Sequence, residues 1–96
     1  MRVIARITVP VEPGNRAIKD GTLGKVMQGA AKRWKPEAMY FTAFDSQRTA
    51  FMVFDLPDAS DIPPFAEPFF TELSAGVEIA PVMNSDDLQK GLSQLG

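Results

Sequence analysis

Apolar and polar residues alternate from Arg2 to Val9: Val3, Ala5, Ile7 and Val9 fall on one side, Arg2, Ile4, Arg6 and Thr8 on the other. This is the period of a β-strand. Pro10 ends it, and Val11-Glu12-Pro13-Gly14-Asn15 reads as a loop. The period then changes. Leu23, Val26, Met27, Ala30 and Trp34 recur at spacings of three and four, which predicts a helix from an Asn15 N-cap to about Trp34. Ile18 lies off this stripe and Gly21 intervenes, leaving the first turns free to bend or to form separately. Gly21, Gly24 and Gly29 each weaken a helix by roughly 1 kcal/mol relative to alanine, which close packing of helix on sheet explains better than room for a ligand. Pro36 stops the helix.

Glu37 to Phe44 reads as a second strand and Thr49 to Asp55 as a third, joined by Asp45-Ser46-Gln47-Arg48 as a four-residue turn. After the loop Leu56–Asp61, Phe65, Phe69 and Leu73 are spaced for one buried face of a second helix. Pro63 and Pro64 suit its opening turn, Pro68 predicts an irregular start or a kink, and Gly76 is placed to close it. Val77 to Met83 reads as a fourth strand in which Pro81 points to an edge or an end. Asn84, Ser85, Asp86 and Asp87 supply capping and acidic side chains for a short last helix with Leu88, Leu92 and Leu95 on one side.

The order β-α-β-β-α-β plus a short helix predicts an α+β fold, the ferredoxin-like split βαβ, as a single domain over 1–96. Strands one and three are then central, two and four at the edges, and both main helices cover one face of a four-stranded antiparallel sheet. Both faces of the hairpin are apolar, however: Tyr40, Phe44, Phe51 and Val53 alternate with Met39, Phe41, Met52 and Phe54. A bare face carrying residues such as Met52, Phe54 and Ile4 is too large a patch to stay uncovered. The simplest cover is the same face of a second subunit, so a homodimer through the sheet face is expected; the other available cover is the C-terminal helix.

Composition narrows the chemistry. The chain has 96 residues, 10 basic and 12 acidic, with no cysteine and no histidine. Disulfides, thiolate nucleophiles, Cys/His zinc sites and histidine general bases are thereby excluded. The basic residues are dispersed apart from Lys32-Arg33-Trp34-Lys35, which fits the basic last turn of a helix. Nucleic acid is therefore not an expected partner. Phe51-Met52-Val53-Phe54 partly resembles the aromatic strand of an RNA-binding domain, but Thr49 and Ala50 stand where that motif needs glycine and an aromatic. No apolar run approaches the ~20 residues of a membrane span, and Met1–Arg6 does not read as a secretory leader, so a cytoplasmic location is expected. Gly21-Thr22-Leu23-Gly24-Lys25 has the wrong spacing for a phosphate loop, and Asp55, Asp58 and Asp61 lack the glycine and closing glutamate of a calcium loop. No metal and no cofactor are expected.

Val9-Pro10-Val11, Gly14-Asn15, Asp20-Gly21-Thr22-Leu23-Gly24, Lys35-Pro36-Glu37-Ala38 and Pro81-Val82-Met83-Asn84 together resemble small bacterial proteins of unknown function in the dimeric α/β barrel superfamily. The resemblance covers nearly the whole chain. It implies two ferredoxin-like sheets packed face to face into a barrel with helices outside. That superfamily includes muconolactone-isomerase-like enzymes, cofactor-independent monooxygenases and proteins with no assigned activity. No catalytic motif carries over to this sequence, and one fold hosts many functions.

Three residues are candidates for binding a ligand: Arg6 and Glu78, which share a face in the simplest register, and Tyr40, the only tyrosine. A charge pair between sheets orients a small acid or polarises a carbonyl, or else fixes the register of a dimer. A phenol donates to a ligand or serves as a general acid, or simply packs its ring with the hydroxyl at the rim. Two functional readings remain. The preferred one is a non-catalytic dimeric module that holds a small apolar or aromatic molecule or a protein partner. The alternative is a cofactor-independent isomerase or monooxygenase acting on a small aromatic or lactone compound.

Overall fold

A computed structural model describes residues 1–96. Strand β1 (Arg2–Val9) leads into helices α1 (Val11–Lys19) and α2 (Thr22–Trp34), and strands β2 (Ala38–Phe44) and β3 (Gln47–Asp55) form a hairpin. Helix α3 (Ile62–Leu73), strand β4 (Gly76–Pro81) and helix α4 (Ser85–Leu92) complete the chain, with single 3₁₀ turns at Ala59–Asp61 and Ser93–Leu95. The fold is α+β, with four antiparallel strands in the order β2-β3-β1-β4. The expected placement of strands one and three at the centre and two and four at the edges holds.

The segment expected to be a loop after Pro10 is helical. Pro10 is the N-cap, in extended conformation, and its carbonyl accepts from the Gly14 amide at 2.9 Å. Pro13 is harmless there, because first-turn amides have no helical partner. Asn15 therefore sits inside α1 rather than capping a long helix. The first turns form separately, one of the two outcomes that Gly21 leaves open: α1 and α2 are divided at Gly21, whose φ of +82° glycine adopts without a Cβ penalty. The apolar stripe of α2 faces the core as expected: Met27 and Ala30 are buried, with Leu23, Val26 and Trp34 packed beside them.

The hairpin turn is tighter than its composition suggested. Phe44 pairs with Gln47, leaving only Asp45 and Ser46 in the turn, at φ +52° and +60°. Positive φ at both positions is the signature of a type I′ turn, whose twist matches the flanking strands. Helix α3 runs without interruption through Pro68, with Pro63 and Pro64 in its first turn. Ser74, at φ +51°, ends it, and Gly76 instead opens β4. Residues 82 and 83, expected in the fourth strand, lie beyond it.

The core lies between the sheet and helices α1 to α3. Val3, Ala5, Ile7 and Val9 are sealed on that side together with Ala50, Met52 and Phe54. Phe54 stacks on Phe65 at 4.6 Å between ring centroids, and Trp34 meets both rings at 5.8 and 5.7 Å. Met52 and Phe54, expected on the bare face, therefore belong to the core. The register explains this: Met52 pairs with Ala5 and Phe54 with Val3, so they share the face of the odd residues of β1.

Helix α4 stands apart. Asn84 accepts from the Asp87 amide at 2.8 Å while Asp87 accepts from the Asn84 amide at 3.1 Å, the reciprocal capping box that the sequence anticipated in part. Leu88, Leu92 and Leu95 nevertheless remain 43%, 50% and 81% exposed, so this helix does not cover the sheet of its own chain. The molecule measures 55 × 27 × 18 Å, with a radius of gyration of 15.2 Å, against about 12.5 Å for a compact chain of this length.

Candidate functional site

The even residues of β1 face away from the helices, and pairing carries their rows across all four strands. The central row is Tyr40–Phe51–Arg6–Glu78. On one side of it lies the apolar row Ala38–Val53–Ile4–Ala80, and on the other the row Thr42–Thr49–Thr8–Gly76. All three candidate residues thus fall on one line across the open face. Arg6 and Glu78 touch; Tyr40 stands two strands from Arg6, roughly 10 Å at ordinary strand spacing, with Phe51 between them.

Arg6 donates from Nη2 and Nε to the same oxygen, Glu78 Oε1, at 2.6 and 2.9 Å. The hydrogen bonds from Arg6 to Glu78, then their opposite charges, raise the Arg6 pKa above its ordinary value, so it stays cationic at any working pH. Glu78 Oε2 and Arg6 Nη1 make no hydrogen bond within the chain. A guanidinium already held by a carboxylate retains a free edge with which to orient a polar group, and the pair remains solvated. Tyr40 is 71% exposed and its hydroxyl makes no hydrogen bond within the chain. Phe51 meets Phe44 edge-on at 5.6 Å, so the aromatic strip continues toward the hairpin turn.

The rim of the face is ionic. Arg2 donates from Nε to Glu37 Oε1 at 2.6 Å, and this bond is the main cause of its raised pKa. The N-terminal ammonium meets Asp55 at 2.8 Å. Between these charges and the central row, a shallow hollow of about 260 Å³ is lined by Ile4, Arg6, Phe51, Glu78, Ile79 and Ala80.

Two other hollows lie near the helices. One, of about 240 Å³, separates α2 from α3 beside Trp34, Phe65 and Phe69. The second, about 270 Å³, opens beneath α2 among Val9, Leu23, Met27, Phe41, Ala50 and Arg48. Neither Phe41 nor Arg48 is recognisable as a lining residue from the sequence, where Arg48 falls in the expected four-residue turn. The two-residue turn instead puts Arg48 on the helix-facing side, paired with Val9. Its guanidinium donates to Asn15 Oδ1 at 3.0 Å and lies over α1 at Gly14. No group of three or more acidic side chains gathers into a metal-binding arrangement, and no helix is long and apolar enough to cross a membrane.

The chain matches no family model and no curated protein sequence. The functional reading therefore rests on the geometry of the face itself.

Proposed function

We propose that this chain works as a homodimeric module, two copies packing open sheet face on open sheet face in the manner of a dimeric α/β barrel. The space over the Tyr40–Phe51–Arg6–Glu78 row then takes a small apolar or aromatic molecule. The observation that carries the proposal is the open face: a central strand bearing Ile4 and Arg6, flanked by Phe51, Val53 and a 71%-exposed Tyr40, with no element of the chain lying over it. Apolar patches of this extent mark interaction surfaces, and a second copy is the commonest cover. Strand β1 runs parallel to β2 across β3, and β3 parallel to β4 across β1. These two interleaved crossovers support the ferredoxin-like reading on which the barrel depends.

The non-catalytic reading is favoured over the enzymatic one. The hollows are half-open and under about 300 Å³, the lower end for a small-molecule pocket. Arg6 is engaged by Glu78, and the Tyr40 hydroxyl has no hydrogen-bond partner within the chain to orient it. The Arg6–Glu78 pair instead fixes the register of the two sheets and offers its free edge to a polar substituent on the bound molecule.

Sedimentation velocity at micromolar concentration tests the assembly. The expected species is twice the mass of the chain, and Tyr40→Asp, a change on an exposed edge strand that leaves the core intact, shifts it to monomer. Thermal-shift screening with aromatic acids and lactones tests the ligand, since binding raises apparent stability by mass action. A monomeric wild-type chain at micromolar concentration sinks the proposal.

A further inference from the structure

Helix α4 has only eight residues, and isolated helices shorter than about 12–15 residues are marginal in water. Its local signals are good: the Asn84–Asp87 capping box, acids in the first turn and Lys90 in the last. Such signals set where a helix begins; they do not replace the packing of an apolar face. Leu88 and Leu92 share one face of α4, Leu95 follows in the 3₁₀ turn that continues it, and Lys90 lies on the far side. That stripe is unpartnered in a single copy. The backbone shows why. Val82 donates its amide to Arg2 at 3.1 Å, continuing the line of β4 one residue past its end, and the capping box starts α4 two residues later. The helix is thereby launched beyond the end of the sheet instead of turning back over it, which gives the molecule its 55 Å length.

A compact monomer of 10.5 kDa exposes about 5,400 Å², whereas this chain exposes 6369 Å². The surplus, roughly 900 Å², is close to the ~800 Å² that one partner contributes to a standard interface. The open sheet face is four strands wide and about six residues long, so only about twelve side chains point toward a partner, against the roughly 20–30 residues a side of a standard interface. A dimer closed by the two sheets alone is therefore small, and the leucine stripe is the remaining apolar surface on the same chain that nothing covers.

We propose that α4 is an exchanged arm: in the dimer proposed above, on which this inference rests, the leucine stripe of each copy docks against the second copy at the margin of its open sheet face. Two apolar surfaces on one chain that do not meet within that chain are both covered when two copies trade them. An isologous two-fold interface makes the trade reciprocal. The polar side of α4 stays toward water, and Gly91, flanking the stripe, lets the helix approach closely. The arm then walls the hollow over Arg6 and Glu78 with residues of the second copy, so that the site is incomplete in either chain alone.

Two measurements on the full-length chain decide this. In Leu88→Lys/Leu92→Lys, both side chains are solvent-accessible in a single copy, so the monomer keeps its fold, checked by circular dichroism. The expected result is a dimer dissociation constant raised about tenfold or more. Because the chain has no cysteine, Gln94→Cys carries a nitroxide as its only thiol label, on the arm. Labelled chain is mixed with unlabelled, ¹⁵N-enriched chain, and paramagnetic broadening is expected at the Ile4, Phe51 or Val53 amides of the enriched copy. An unchanged dissociation constant, or a dimer with no broadening in the enriched copy, overturns the arm while leaving the sheet-to-sheet dimer standing. A wild-type chain that never dimerises removes both.

Discussion

The two faces of one sheet divide this molecule. On the helix side Val3, Ala5, Ile7, Met52 and Phe54 are fully sealed; their sequence neighbours Ile4, Arg6, Phe51 and Val53 are only partly covered. The backbone and its hydrogen bonds are common to both sets, so strand propensity cannot separate them. What separates them is which layer each meets. Side chains alternate with a period of two, so adjacent residues of similar hydrophobicity have unrelated fates. A hairpin apolar on both sides therefore meets helices on one side only, and its other side stays open in the single chain.

The sharpest way to break this contrast is a pair of adjacent substitutions. Met52→Ala leaves a cavity under the helices and is expected to cost ~2–5 kcal/mol, while Val53→Ala, one residue away, costs under ~1 kcal/mol in the monomer. Urea unfolding at concentrations too low for association reads both. Equal costs would erase the distinction between the faces. A smaller effect lies in the turn that assigns each hairpin residue to its face. Ser46 sits at φ +60°, where a residue with a Cβ is strained, so Ser46→Gly is expected to stabilise the chain by ~0.5–1 kcal/mol in the same assay. A loss of stability would mean that the register depends on the serine side chain.

The smallest effect is a control away from both faces. Asp58 accepts from the Ser60 hydroxyl and amide, which hold its carboxyl below the ordinary range. A depressed folded-state value stabilises the fold above the unfolded value of about 3.9, and that contribution is lost as pH falls through the folded one. Thermal melts between neutral and strongly acid pH are expected to fall less steeply for Asp58→Asn than for the wild type. Parallel curves would show that the Asp58–Ser60 hydrogen bonds carry no charge-dependent stability.

Much of this architecture was legible because periodicity is a local property. The helix stripe from Leu23 to Trp34, the Phe65–Phe69–Leu73 face and the pairing of Arg6 with Glu78 follow from spacing and strand order. The failures came where short-range chemistry was ambiguous. Pro13 and Gly14 look like loop residues, yet a proline in the first turn costs nothing and the glycine there answers a spatial need. Asp45-Ser46 lacks the glycine usual in a type I′ turn, so the sequence points to a turn two residues longer than the one formed. Spacing alone puts Met52 and Phe54 on the wrong side, because both hairpin faces are apolar and only pairing with β1 chooses between them. The exposed leucines from Leu88 to Leu95 are visible as a stripe, but nothing in spacing says what a stripe meets.

Gly14 has a consequence of its own. It lies in helical conformation, where alanine is ordinarily the better residue, yet an added Cβ would come within 2.6 Å of Arg48 Nη1 and 3.2 Å of Val9. The missing methyl is the groove through which the guanidinium reaches Asn15, fastening the far end of the hairpin to the first helix. Arg48 is also a wall of the hollow beneath α2. Position 14 therefore acts as a spacer at one remove: whatever occupies it sets how far that arginine can lean, and with it the width of a chamber that position 14 does not itself line.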